Sequence, residues 1–128
     1  MRSDNSFRKA RVIGSLGSSV TAPLRASDRL SNDDRRDVYR FNLLPGNAFQ
    51  ARSSFRSRGG SLDVQFFFRN PETRGIESLT TRQTLRPGRA SNVITLPTNQ
   101  LSTPLQIFIR FDRPTRNVRY RFGFQSLS

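Results

Sequence analysis

A chain of 128 residues falls within the size of one ordinary domain, and its 34% apolar content, with eleven Phe, supports a single thin core of large aromatic side chains. The absence of Cys and His excludes disulfides, thiolate metal sites and cysteine nucleophiles, and removes the commonest general base. Twenty-two basic residues, all arginine but Lys9, face nine acidic ones, and a net charge of +13 favours nucleic acid, anionic membrane or an acidic protein as partner.

Residues 1–9 (MRSDNSFRK) read as a basic N-terminal arm, and 10–128 as one domain. The stretch through Ser19 holds no apolar run of signal-peptide length, and no segment is long enough to span a membrane. A cytoplasmic location is the expectation, unless the sequence is a piece of a longer exported chain. Val12, Ile13 and Leu16 suggest a first edge strand within Ala10 to Leu16, and residues 26–36 (ASDRLSNDDRR) read as a polar loop.

Period-two alternation is clearer beyond that loop. Tyr39, Phe41 and Leu43 share one face of a strand, and Pro45-Gly46-Asn47 turns the chain. Phe49, Ala51 and Phe55 follow at even spacing, and Gly59-Gly60 marks another turn. Leu62, Val64, Phe66 and Phe68 alternate with Asp63, Gln65, Phe67 and Arg69. The span from Ile76 to Leu85 is less regular, Arg86-Pro87-Gly88 turns, and Asn92 to Leu96 gives a short strand. Leu105, Ile107, Ile109 and Phe111 alternate with Gln106, Phe108, Arg110 and Asp112. Val118, Tyr120, Phe122 and Phe124 then alternate with Arg119 and Arg121, and residues 113–116 fit a hairpin loop between these last two strands. Seven or eight such strands predict an all-β, antiparallel, jelly-roll-like sandwich.

The order of segments "NSFRKARVIGSL", "SDRLSNDDRRDVYRFNL", "GSLDVQFFF", "LQIFIRF" and "VRYRFGF" resembles the bacterial pre-peptidase C-terminal domain in its cyanobacterial form. The most specific piece is Asp37-Val38-Tyr39-Arg40-Phe41, and the resemblance spans about residues 5 to 126. It implies a small β-sandwich without catalytic residues, appended in most members to secreted hydrolases, where it binds substrate or assists export. The family's Gly-Thr-Tyr-Tyr element is replaced here by Ser102-Thr103-Pro104-Leu105, and no protease accompanies the domain in this sequence. A free-standing binding part is therefore expected.

Catalysis has little to work with. Asp33, Asp34, Asp37 and Asp63 could supply paired carboxylates, but loop closure and pairing with arginine account for them as well. Serine is plentiful, yet no base of suitable pKa is evident. The resemblance also implies calcium binding through loop acids in some members. The spacing here is not that of an EF-hand, and Arg29, Arg35 and Arg36 oppose a cation. Neither a cofactor nor a metal is expected.

With the aromatic rows inward, the outward faces carry Arg40, Phe67, Arg69, Phe108, Arg110, Arg119 and Arg121, and the arm adds Arg8 and Arg11. Exposed phenylalanines among arginines are ingredients of a protein interface. The expected function is a scaffold or linker-type module that binds an acidic protein assembly, with the phycobiliproteins of a phycobilisome as one such partner. Two alternatives stand beside it. One is a secreted accessory or carbohydrate-contacting module of a hydrolase. The other is single-stranded nucleic-acid binding, for which basic charge with interleaved aromatics is suited.

Overall fold

The computed structural model describes residues 7–19, 23–30, 35–112 and 117–127. The alternation resolves into two sheets. One runs in the order β1 (Arg11–Leu16), β3 (Arg36–Leu43), β9 (Leu105–Asp112), β5 (Leu62–Arg69), and β5 also pairs with two short strands, β6 (Ile76–Ser78) and β7 (Gln83–Leu85). The other runs β2 (Leu24–Leu30), β10 (Val118–Leu127), β4 (Phe49–Arg58), β8 (Gly88–Leu96). A 3₁₀ turn at Thr98–Gln100 leads toward β9.

Several expectations are corrected. Residues 26–30 are not loop: they belong to β2, whose Leu24 and Leu30 are buried, while the loop assignment for 31–34 lies outside the described residues. The pattern of β2 was obscured because its inward row includes Asp28, a polar residue that Arg11 Nη2 neutralises at 2.9 Å. The last two strands do not form a hairpin, since β9 lies in the six-stranded sheet and β10 in the four-stranded one. Residues 113–116 lie outside the described residues. Each strand carries an aromatic row, and the rows meet across the core rather than side by side, with Phe111 4.6 Å from Tyr120 and 5.0 Å from Phe122. The β1–β3 pair is parallel, unlike the other pairings, and its register shifts between Val12 and Gly14. Gly14 takes φ +132°, where L side chains are strained, and a Cβ there would stand 2.8 Å from the Leu24 side chain.

Apart from Leu24 and Leu30 of β2, the core is the one the alternation implies. Tyr39, Phe41, Leu43, Ile107, Ile109, Phe111, Leu62 and Val64 face Leu24, Leu30, Val118, Tyr120, Phe122, Phe124, Phe49 and Ala51. At one end of this interior the two sheets are joined by hydroxyls. Tyr39 and Tyr120 bring their oxygens to 2.5 Å, and the Tyr120 hydroxyl donates to the buried Asp37 carboxylate. Arg11 Nη1 donates to the Tyr39 hydroxyl at 3.4 Å, which links β1 to the same cluster.

A second, smaller cluster covers the outer face of the six-stranded sheet. Phe67, Phe108 and Val38 are buried there, with Phe7, Ala10 and Ile76 packed against them. Phe7 meets Phe67 edge-on at 4.7 Å and Phe108 at 5.5 Å. Phe7, within the segment expected to be an arm, is thus seated on the sandwich.

Tyr120→Phe removes a hydrogen bond to a carboxylate and costs about 1.5–3 kcal/mol, read from the urea midpoint at neutral pH. Burial raises both phenols above their ordinary value, most strongly Tyr120, which also feels Asp37. Unfolded tyrosines ionise near pH ~10 while these retain their protons, so the unfolded state binds fewer protons above that pH and stability falls as pH rises. The slope is up to ~1.4 kcal/mol per pH unit for each tyrosine, and the Tyr39→Phe, Tyr120→Phe double variant flattens it.

Candidate functional site

Inward rows dictate outward rows, because successive strand residues point to opposite faces. In the four-stranded sheet the inward rows are Leu24 to Leu30, Phe49 to Ser57 and Val118 to Phe124 at even spacing, so every residue between them faces out. Register then assembles these residues into rows that cross the strands. The first row is Arg29, Arg119, Arg58, and the second is Ser27, Arg121, Arg56, Arg89. The third is Arg25, Gly123, Ser54, Ser91, and the fourth is Gln125, Arg52, Val93.

This face therefore holds eight arginines (25, 29, 52, 56, 58, 89, 119 and 121) and, among the described residues, no acid at an outward position, although Asp28 of the inward row lines a groove beside Arg29. Among the described residues none of the eight guanidinium groups pairs with a carboxylate; the ion pairs found there belong to Arg11, Arg36 and Arg110. Two grooves cross the face. One of about 440 Å³ lies between the first and second rows, and one of about 650 Å³ lies between the second and third. Arg56 and Arg121 border both. Ser54, Ser91 and Gly123 line the larger groove; Gly123 leaves its part bare, and a Cβ there would lie 3.2 Å from the Leu24 carbonyl oxygen.

The outer face of the other sheet is different in kind. Arg69 donates from Nε to Gln106 and from Nη1 to the Arg74 carbonyl, and its guanidinium lies 5.8 Å from the Phe108 ring centre. Arg110 donates to Gln65, pairs with Asp112 at 3.1 Å and covers Phe67 at 4.8 Å. Burial lowers the pKa of Arg110, and Asp112 offsets part of that effect. Asp112 also takes Arg36 at 2.7 Å. These cations are engaged within the fold.

The sequence-predicted residues thus divide between surfaces. Arg119 and Arg121 stand on the arginine face. Arg40, Phe67, Arg69, Phe108 and Arg110 stand on the outer face of the six-stranded sheet, with Arg40 half-buried. Phe67 and Phe108 are not exposed as expected, at 9% and 0%, because Phe7 lies over them. Arg8 is exposed, and Arg11 is tied to Asp28 and Tyr39. The expected acids are not gathered at one site: Asp37 is bonded to Tyr120, Asp63 accepts from the Thr84 hydroxyl, and Asp33 and Asp34 lie outside the described residues. Sequence reasoning missed Arg25, Arg29, Arg52, Arg56, Arg58 and Arg89. The even spacing of Arg52, Arg56 and Arg58 opposite Phe49, Ala51 and Phe55 was the available signal.

No protein-family model and no curated protein matches the chain. Among solved structures, the pre-peptidase C-terminal domain of a collagenase from Bacillus anthracis superposes with a TM-score of 0.52 at 13% identity, covering 88% of this chain and 93% of that one. The chain shares its β-sandwich fold with that domain. A carbohydrate-binding module specific for non-crystalline cellulose superposes with a TM-score of 0.50 at 13% identity, covering 80% of this chain and 70% of that one. At these identities the likeness is one of fold.

Like charges directly opposite on neighbouring strands are destabilising. Arg119 has Arg29 on one side and Arg58 on the other. Arg119→Gln is expected to raise stability by a few tenths to about 1 kcal/mol at low salt, with the gain shrinking at high salt. Paired thermal melts at the two salt concentrations test this; a loss of stability at low salt contradicts it.

Proposed function

We propose that the chain is a non-catalytic binding module that holds an acidic protein partner on the arginine face of its four-stranded sheet. The observation that carries this is the set of eight guanidinium groups on one side, without an acid at an outward position among the described residues of that side. Arginine suits such a surface, because its planar fork takes carboxylates two bonds at a time. The face also lacks aromatic side chains: the phenylalanines of β4 and β10 point into the sandwich. Single-stranded nucleic-acid binders use stacking platforms, and their absence from the described face favours a carboxylate-rich protein over nucleic acid. Phycobiliproteins are one acidic assembly that meets this requirement, and sign of charge is all the face contributes to that narrower identification.

A second reading draws on the fold shared with the cellulose-specific module, namely contact with a polysaccharide. Without an aromatic platform on this face, such a polysaccharide would be an anionic one.

Poly-L-glutamate, sodium alginate and oligothymidylate, titrated separately, distinguish these readings. Poly-L-glutamate is expected to bind tightest and to weaken steeply between about 50 and about 300 mM salt. Arg56→Glu with Arg121→Glu is expected to weaken it roughly tenfold or more, whereas Arg40→Glu on the opposite sheet leaves it unchanged. Equal loss from Arg40→Glu would remove the assignment to this face, and tighter binding of alginate or oligothymidylate would replace the protein partner.

A further inference from the structure

β8 is one of the two edge strands of the four-stranded sheet, opposite β2, and eight of its nine residues are exposed. Its inner side is paired with β4 without a register break over nine positions, from Phe49↔Leu96 to Ser57↔Gly88. Among the described residues no backbone group bonds to its other side. An unpaired strand of this length is a template for another chain, and folds blunt such edges with short or bulged strands. The six-stranded sheet does so: its edges are β6 and β7, of three residues each, and the bulged β1. β8 has neither device, and it displays Val93 at 45% and Ile94 at 37% exposure.

We propose that β8 is a docking edge for an extended, acidic segment of a partner protein, which adds to the sheet as a fifth strand. This deepens the functional reading above and rests on it only for the sign of the partner's charge. A strand added beside β8 continues the cross-strand rows. Its outward side chains extend the row of Arg121, Arg56 and Arg89, so the position next to Arg89 takes a carboxylate. Its inward side chains lie beside Ala90, Asn92 and Ile94, where aliphatic groups cover Ile94. Main-chain hydrogen bonds supply affinity, and the alternating side chains supply selectivity. A second copy of the chain is the poorer occupant, because each carries a net charge of +13 and pairing would bring two arginine faces together.

The test uses a capped peptide of nine alternating Glu and Val residues, and a control of the same composition with its acids in one block. Amide hydrogen exchange over residues 88–96 is the readout. The alternating peptide is expected to slow exchange at alternate β8 amides roughly tenfold or more, and the blocked control is not. Successive strand residues point their amides to opposite sides, so either Asn92→Pro or Val93→Pro removes a donor from the free edge. The variant that keeps the parental melting temperature is expected to lose peptide binding roughly tenfold while still binding poly-L-glutamate. If neither variant folds, exchange on the parent protein decides alone.

Unchanged β8 exchange at saturating peptide overturns the proposal, as does equal protection by the control. Protection that grows with protein concentration in the absence of peptide assigns the edge to a second copy and also overturns it. Failure of β8 protection with Arg56- and Arg121-dependent poly-L-glutamate binding intact sinks strand addition alone. The converse pattern sinks the arginine-face reading and leaves the docking edge standing.

Discussion

The arginine face exists because Tyr120 is buried. Its hydroxyl meets Tyr39 and Asp37 of the opposite sheet, which fixes which side of β10 faces the core. A slip of one residue would carry Arg119 and Arg121 inward and expel Tyr120, Phe122 and Phe124. Burying unpaired guanidinium groups is prohibitively costly, so the register of β10 is strongly specified. β10 is a central strand, with β2 on one side and β4 on the other, and its parity passes to both by direct pairing. The cationic surface is thus the reverse side of the aromatic core.

That arrangement sets two demands against each other. The core gains from aromatic rows in edge-to-face and stacked contact, among them Tyr39 with Phe122 at 4.9 Å. The outer rows place arginine beside arginine, which opposes folding at low ionic strength. A surface selected only for stability would intersperse acids, as the other sheet does with Asp112 between Arg36 and Arg110. The two faces of one small domain thus differ in how their cations are balanced: those of one are paired within the fold, and those of the other are not.

Much of the sandwich was legible in the sequence, because β3, β5, β9 and β10 carry alternation that no helix period can mimic. β2 was hidden by Asp28, whose inward position makes sense only once Arg11 of a distant strand is placed beside it. The separation of β9 from β10 could not be read from their spacing, since a short link serves a hairpin and a crossing between sheets alike. The arginine face was seen in fragments, as Arg119 and Arg121, because the remaining arginines join them only through register. Phe67 and Phe108 misled for a related reason: their cover is Phe7, some sixty and a hundred residues away in the chain.

Phe7 has a practical meaning for anyone who wishes to display this domain. It enters on the outer side of the six-stranded sheet, where it sits against Phe67 and Phe108. Phe7 itself therefore lies on the side of the sandwich remote from the cationic rows. A bead, sensor chip or fluorophore anchored at that position would leave the cationic rows facing the solution.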